Sequence, residues 1–261
     1  MKNFISSAWR AVPSIRNYFR NKWFTLILYH QIDETLFKKH LEYFSSQYNI
    51  TPLGSLRDYY ENGVPLPKNS LFITFDDGWR SNYSLLPVIE ESRIPVTIFL
   101  TTGLIGSKRV PAPINYYQGK SLFNIKEDYP IQMERTMLTK QEIKEMSNVL
   151  NFQSHGVNHY PSTSLNPEQL RSELLESKRT IEALTGKQVY AYAYPYNRAG
   201  EREAQIVASC GYKLARIGGR MMNGLKSNPF LLNSIGVTNR FSINKLEKTL
   251  LNAEIKTLLL S

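Results

Sequence analysis

The sequence predicts an α/β protein whose sheet is mostly parallel. From residue 23 onward, short apolar stretches typical of strands alternate with stretches of helical periodicity, which is the pattern of a parallel sheet with crossover helices. Polar residues also follow the ends of several predicted strands, at His30, Asp76, Asp77, His155 and Tyr196. In parallel α/β folds the carboxyl ends of the strands carry the active site. We therefore expect the chemistry of this chain to lie there.

The strands are predicted from short runs rich in β-branched and aromatic residues. They cover residues 25–29, 71–75, 96–100, 149–153, 189–194 and 235–238, with another near residue 211. The run at 71–75 is closed by Asp76, Asp77 and Gly78. Because glycine lets the backbone turn sharply, the two carboxylates need not point to opposite faces as they would in a regular strand.

Helices are predicted between these strands from apolar residues at helical spacing. They cover residues 37–48 and 81–93, lie near residues 138 and 211, and begin near residues 166 and 244. The best-marked helix has Asn166 as its N-cap, Pro167 in its first turn and Gly186 just past its end. The stretch 103–135 has few periodic apolar residues, so we expect a long excursion over one end of the sheet.

Length and composition favour one domain in a reducing compartment. The chain has 261 residues, no internal repeat and no linker, and no apolar run approaches the roughly 20 residues of a membrane span. The lone Cys210 cannot form an internal disulfide. The first 22 residues lack the continuous apolar region of a secretory signal. These observations predict a cytoplasmic protein.

The formal net charge of +10 is concentrated at the start of the chain. Residues 1–22 hold five lysines and arginines and no acid, with apolar residues at helical spacing between them. We therefore divide the chain into a basic amphipathic segment, 1–22, and a catalytic domain, 23–261. Such a segment suits an anionic membrane surface, or it forms a terminal helix that packs on the domain. No nucleic-acid-binding motif accompanies the charge, so nucleic acid is not an expected partner.

Two clusters carry candidate chemistry. Asp76 and Asp77 are adjacent carboxylates, of which one can bind a divalent cation while the other acts as a base; a solvated Asp-Asp-Gly turn is the structural alternative. His155 and His159 have a spacing that places both imidazoles on one side of a turn, although such pairs also occur without a role. Together, two histidines and one aspartate form a three-ligand metal site with open positions for water and substrate. Such a site is hydrolytic.

Three segments carry a family resemblance. FITFDDGWRSNY at 72–83, SHGVNHYPSTSL at 154–165 and AYPYNR at 193–198 resemble, in order, three motifs of the polysaccharide deacetylase family, also called the NodB-homology family. The resemblance extends from about residue 26 to residue 243. It implies a single-domain distorted or incomplete (β/α) barrel of the NodB-homology type.

The resemblance also implies a role for each matching residue. Asp76 would be the general base, and Asp77, His155 and His159 would bind one divalent metal ion, with zinc expected first and nickel, cobalt or iron as alternatives. Tyr196 would offer its backbone N–H to the oxyanion of the tetrahedral intermediate. The implied reaction is hydrolytic removal of an acetyl group from an N-acetylated glycan or glycolipid.

The sequence departs from the family pattern in two places. Many members carry an arginine shortly before the Pro-Tyr pair to orient the base, and residues 191–193 contain none. Many also end with a Leu-x-His motif that supplies the general acid, and no histidine follows His159. His30, after the first core strand, is the best candidate for the acid because histidine titrates near neutral pH. Arg240 is a candidate for holding a substrate anion or the base, and His40 is interpreted as a surface residue.

The basic start and the cytoplasmic prediction together favour a sugar carried on a lipid at the inner face of the membrane. Three alternatives stay open. The chain could hydrolyse another amide, such as a cyclic ureide or imide. It could be a catalytically inactive protein that binds glycan, as the missing arginine and late histidine suggest. A nucleic-acid binder using the net charge is the third.

Overall fold

Nine strands are present in the computed structural model, which describes residues 22–112 and 136–260. They are β1 (Trp23–Tyr29), β2 (Asn49–Ile50), β3 (Ser70–Asp77), β4 (Val96–Leu100), β5 (Asn151–Ser154), β6 (Ala191–Ala193), β7 (Leu214–Gly218), β8 (Asn223–Gly224) and β9 (Leu232–Gly236). The predicted core strands are all present within a few residues of their expected positions. The short strands β2 and β8 were not predicted.

Seven of these strands close into a parallel barrel. The order is β3, β4, β5, β6, β7, β9 and β1, and β1 then pairs with β3 from Thr25 opposite Leu71 to Tyr29 opposite Phe75. The closure is uneven, since β5 and β6 share the single pair Ser154 and Tyr192. β2 adds to β3, and β8 adds to β1 in the antiparallel direction. The predicted distorted (β/α) barrel is therefore confirmed.

Helices connect the strands along the outside of the barrel. They are α1 (Glu34–Gln47), α2 (Leu53–Asn62), α3 (Leu86–Ser92), α4 (Lys140–Met146), α5 (Pro167–Thr185), α6 (Glu201–Ser209) and α7 (Ile243–Leu260). The predicted limits of α5 are confirmed: the Asn166 side chain accepts a hydrogen bond from the Gln169 N–H, and Gly186 has the left-handed φ of 67° that ends the helix. The region 81–93 begins as a 3₁₀ helix, Arg80–Leu85, before α3.

The barrel core positions the carboxyl ends of the strands. All eight residues of β3 and all seven of β1 are buried, so Asp76 and Asp77 lie at the end of a strand with no exposed face. Parallel strands covered by helices are expected to be apolar throughout. Two adjacent buried carboxylates in such a strand must each have a partner.

Two predicted regions fall largely outside the described residues. These are the amphipathic segment 1–22, apart from Lys22, and most of the excursion predicted for 103–135. Within residues 22–112 and 136–260, no helix combines the length and the apolar character that a membrane span needs.

His40 is buried, and its interpretation as a surface residue is wrong. Its Nε2–H donates to the Phe241 carbonyl at 2.7 Å, and its Nδ1 accepts from the Tyr29 hydroxyl at 2.8 Å. The ring also lies near Phe44. The neighbouring lysines suggested an exposed helix face, but the imidazole points into the protein interior. Its hydrogen bond to Phe241 connects α1 to the segment before α7.

The burial of His40 predicts a pH-dependent stability. Burial lowers the pKa of His40 below its ordinary value of 6.5, more than the hydrogen bond to Phe241 raises it. Below pH 6.5 the His40 imidazole therefore binds a proton more readily in the unfolded chain than in the folded chain, and this lowers the stability of the fold. We expect the free energy of unfolding to fall between pH 7.5 and pH 5 by more in the wild type than in His40→Gln, measured by urea denaturation. Equal losses in the two proteins would contradict the assignment.

Candidate metal centre

Three predicted ligands meet at the carboxyl end of the barrel. Asp77 ends β3, His155 follows β5, and His159 lies in the loop after it. One ligand atom from each lies within 4.8 Å of the others. The Asp77 Oδ1 atom is 3.5 Å from the His155 Nε2 and 3.3 Å from the His159 Nε2. These separations suit ligands that share an ion at bond lengths of about 2.0–2.2 Å.

The hydrogen bonds around these atoms leave lone pairs that face one another without a donor between them among the residues that the structure describes. The His155 Nδ1–H donates to the Ala193 carbonyl at 2.7 Å, and this fixes the tautomer whose Nε2 carries a lone pair toward Asp77. The buried Asp77 Oδ1 has no hydrogen-bond partner in the described part of the chain, nor does the His159 Nδ1. Converging lone pairs in a buried site are unfavourable without a cation. The residues therefore fit a divalent metal ion.

The pKa values of these groups favour the ligand forms. Burial lowers the pKa of the His155 imidazole to about 4, although the Asp76 carboxylate opposes the shift, so His155 is neutral at pH 7. Burial alone raises the pKa of Asp77, but the His159 imidazole, with smaller contributions from His155 and His30, holds it well below its ordinary value. Asp77 is therefore ionised. Its second oxygen, Oδ2, accepts a hydrogen bond from the Trp79 indole at 2.8 Å.

The loop that carries both histidines is held by Glu173 of α5. The Glu173 Oε2 atom accepts hydrogen bonds from the backbone N–H groups of Val157 and Asn158 at 2.7 and 2.9 Å. The Oε1 atom accepts from the Asn158 side chain at 2.6 Å. This buried carboxylate therefore fixes the backbone between His155 and His159.

Three residues of the site have left-handed backbone conformations. The φ angles of Asp77, His159 and Tyr196 are 74°, 58° and 58°. For a residue with a side chain, this conformation costs about 1–3 kcal/mol. Gly78 continues the turn with a φ of 84°, and a Cβ atom there would lie 2.6 Å from Leu100. The turn anticipated after β3 is present, and it begins at Asp77 itself.

Asp76 is held by an arginine that sequence reasoning missed. The Arg216 Nη2 group donates to the Asp76 Oδ1 atom, and both side chains are buried. The Arg216 Nη1 group lies 3.4 Å from the Ser234 hydroxyl, and the guanidinium lies 4.9 Å from the centre of the Phe99 ring. The Asp76 Oδ2 atom faces the His155 Nε2 at 3.8 Å. One carboxylate oxygen is thus bound by an arginine and the other faces the metal centre.

Arg216 contacts Asp76 although residues 191–193 contain no arginine. It lies on β7 directly opposite Ala193 of β6, so the guanidinium comes from the neighbouring strand. The available signal was a charged residue in the middle of the apolar run 214–218. Arg240, which was considered for this contact, is exposed in the loop after β9. Its role in substrate binding stays a prediction.

His30 and Tyr196 flank the three ligands. The His30 Nε2 atom is 3.9 Å from the Asp77 Oδ2 atom, and the side chain is 52% exposed, so it borders both the site and solvent. The Tyr196 ring packs against the His159 ring at a centroid distance of 4.6 Å. Its hydroxyl donates to the Ala112 carbonyl at 2.5 Å. The acid and oxyanion roles of these two residues stay predictions.

Residues 63–215 match the family model described as polysaccharide deacetylase. The matched range is more than half of the chain and contains Asp76, Asp77, His155, His159 and Tyr196. The chain belongs to the polysaccharide deacetylase family. The resemblance read from the three motifs is therefore confirmed. His30 and Arg216 lie outside the matched range.

Curated relatives and solved structures agree with this family. YxkH of Bacillus subtilis (strain 168) is 26% identical over 146 residues, which are 55% of this chain and 43% of YxkH. The poly-β-1,6-N-acetyl-D-glucosamine N-deacetylase of Staphylococcus aureus (strain MRSA252) is 23% identical over 166 residues, which are 59% of this chain and 50% of that protein. The chain thus spans about half the length of the curated relatives it matches.

Among solved structures, the deacetylase PplD of Streptococcus pyogenes, in complex with acetate, shares the fold. It has a TM-score of 0.70 at 21% identity, over 87% of this chain and 98% of PplD. IcaB from Ammonifex degensii has a TM-score of 0.68 at 17% identity, over 90% of this chain and 98% of IcaB. The polysaccharide deacetylase barrel is therefore present in full despite the low identity.

In this family member, Arg216→Met is expected to destabilise the barrel by about 3–5 kcal/mol, because it leaves the Asp76 carboxylate buried without a counter-charge. Urea denaturation at pH 7.5 measures the loss. Arg171→Met is the matched control, since the Arg171 side chain contacts Ser209 at the surface. The double change Arg216→Met with Asp76→Asn should recover part of the loss. Equal stability of Arg216→Met and the wild type would contradict the buried ion pair.

Proposed function

We propose that this chain is a metal-dependent hydrolase that removes N-acetyl groups from an amino-sugar glycan or a lipid-linked sugar. The observation that carries the proposal is the convergence of Asp77, His155 and His159 beside a second carboxylate, Asp76, that an arginine holds in place. Three ligands with an adjacent base suit amide hydrolysis. Membership in the polysaccharide deacetylase family supports the same chemistry.

The geometry suggests how the residues divide the work. Asp77, His155 and His159 would hold a divalent ion, with zinc expected first and nickel, cobalt or iron also suited to the site, and the bound ion would supply Lewis-acid chemistry toward the acetyl group. Arg216 fixes the Asp76 Oδ1 atom, which leaves Oδ2 to take a proton from the attacking water. The Tyr196 N–H is proposed to donate to the oxyanion. His30 would then protonate the leaving nitrogen, so the C–N bond breaks and acetate and an amine result.

A groove beside the site supports a sugar substrate. It has a volume of about 590 Å³, and its walls combine aromatic rings with polar groups, namely Gln31, Trp79, Arg80, Ser81, Tyr83, Ser84 and Thr136. Gln31 follows His30, and Trp79 contacts Asp77, so the groove adjoins both the proposed acid and the metal ligands. Sugars suit such surfaces because their ring faces are apolar and their hydroxyls form hydrogen bonds.

The nature of the glycan is a further part of the proposal. The name of the Staphylococcus aureus relative specifies a polymer of N-acetyl-D-glucosamine, and this favours N-acetylhexosamine units here. The basic segment 1–22 favours a lipid-linked sugar at the inner face of the membrane. That placement would be abandoned if removing residues 1–22 left the sedimentation of the protein with anionic vesicles unchanged.

Acetate release tests the proposed reaction. The protein would be incubated with oligomers of N-acetylglucosamine, with and without a chelator, and then with added zinc, nickel or cobalt. We expect acetate release that the chelator abolishes and a metal restores. Hydrolysis of a cyclic imide without acetate release would favour the alternative amide. Bound oligomer without any turnover would favour an inactive glycan-binding protein.

A further inference from the structure

A second groove lies along α7, where four of its lining residues share one face of the helix. Lys245, Thr249, Asn252 and Lys256 follow one another at spacings of four, three and four residues, which places them in one stripe. Arg220, in the segment after β7, also lines the groove. The groove has a volume of about 610 Å³, large enough for a small ligand.

The charge of this groove is positive and uncompensated. Arg220, Lys245 and Lys256 line it, and none of its lining residues is acidic. Within the part of the chain that the structure describes, none of these three side chains forms a salt bridge. Three cationic groups around one cavity repel one another. A bound anion would remove that repulsion.

Each of the two lysines has a contact that holds its ammonium group in position. The Lys256 Nζ group donates to the Gly219 carbonyl at 3.2 Å. The Lys245 Nζ group lies 5.6 Å from the centre of the Phe241 ring, within the range of a cation–π contact. The groove is therefore preorganised for a negative ligand, and less side-chain freedom is lost on binding.

The groove belongs to the same end of the barrel as the metal centre. Gly236, which lines it, ends β9 and pairs with Leu28, two residues before His30. Arg220 follows β7, the strand that carries Arg216. In eight-stranded (β/α) barrels, the loops after the last two strands frequently bind phosphate, and the last two strands of the parallel barrel in this chain are β7 and β9.

We propose that the groove between α7 and the ends of β7 and β9 binds a phosphate or diphosphate group. Three cations match the charge of a diphosphate, and a guanidinium flanked by two ammonium groups suits its clustered oxygens. The phosphate could belong to a soluble ligand or to a lipid headgroup. The inference does not depend on the proposed deacetylation, because the groove and its charges stand apart from the metal ligands.

Binding of inorganic diphosphate to the full chain tests the groove directly. Isothermal titration calorimetry would compare the wild type with the double variant Lys245→Gln, Lys256→Gln. We expect affinity to fall by at least about tenfold in the double variant, since two charge-assisted contacts are lost, and to weaken with added salt. Lys248→Gln is the matched control, because Lys248 is an exposed lysine of α7 that does not line the groove. It should bind diphosphate as the wild type does.

Vesicles distinguish the source of the phosphate. Sedimentation would use vesicles of phosphatidylglycerol and, as the neutral comparison, phosphatidylcholine. Loss of phosphatidylglycerol binding in the double variant, with binding kept in Lys248→Gln, would support a headgroup site. Diphosphate binding without vesicle binding would support a soluble or sugar-linked phosphate. The proposal is overturned if neither probe binds, or if Lys248→Gln weakens binding as much as the double variant.

Acetate release from an uncharged N-acetylglucosamine oligomer separates this inference from the proposed function. The double variant should release acetate at the wild-type rate, since neither lysine contacts the metal ligands. A wild type without deacetylase activity would still be tested for diphosphate binding, so either idea can fail alone.

Discussion

Replacing His155 by alanine is expected to empty the metal centre and to stop acetate release. The imidazole is one of the three proposed protein ligands, and its Nε2 lone pair is fixed by the hydrogen bond from Nδ1 to Ala193. Its removal should weaken metal binding by more than the roughly 10–100-fold loss seen when a residue that only supports a ligand is changed. Elemental analysis of the purified protein, with acetate release measured in parallel, provides the check.

His30→Gln is the informative comparison for this experiment. The His30 Nε2 atom lies 3.9 Å from the Asp77 Oδ2 atom. This distance suits either a fourth metal ligand or a general acid. We expect His30→Gln to keep its metal and to lose activity. Metal lost to the same extent in His30→Gln as in His155→Ala would make His30 a ligand instead. Metal retained in His155→Ala would overturn the proposed centre.

Asp76→Asn is expected to lower the turnover rate by about 10²–10⁴-fold, the usual contribution of a general base, with bound metal and KM little changed. The amide oxygen can still accept the hydrogen bond from Arg216, which limits the loss of stability expected when the buried guanidinium loses its counter-charge. The side chain can no longer take a proton from water. Steady-state acetate release and elemental analysis on the same preparation measure both effects.

Asp58→Asn serves as the control for Asp76→Asn. Asp58 forms a partly exposed ion pair with Arg57 at 2.8 Å, and such pairs contribute little to stability. It should release acetate at the wild-type rate. An Asp76→Asn protein with full activity would remove the base from the mechanism. A wild-type protein without acetate release would favour the alternative of a catalytically inactive protein that binds glycan.

The barrel and the convergence of Asp77, His155 and His159 could be predicted from sequence because their signals are local. Each buried strand is a short apolar run, and α5 is delimited by Asn166 and Gly186 through backbone capping. The candidate ligands and the candidate base are marked by the pairs Asp76–Asp77 and His155–His159, which lie at the ends of two such strands. Parallel strands bring their carboxyl ends together, so position along the chain translates into position in space.

The surroundings of these residues could not be predicted because their contacts are distant along the chain. Arg216 reaches Asp76 across 140 residues, and only the register of β6 and β7 places it there. His40 is paired with Phe241, 201 residues away, so its burial is invisible in the local pattern of α1. The helix α2 has only two buried residues, Leu53 and Leu56, too few to produce an apolar stripe.

The closure of the barrel by β1 limits how the protein can be divided. The range 63–215 that carries the family match omits β1, β9 and most of β7. A fragment with those limits would leave β3 and β6 as open sheet edges, with unpaired backbone N–H and C=O groups that favour self-association. The range matched by the family model is therefore not a folding unit by itself, and a minimal fragment that does not self-associate must retain the strands that join its two ends.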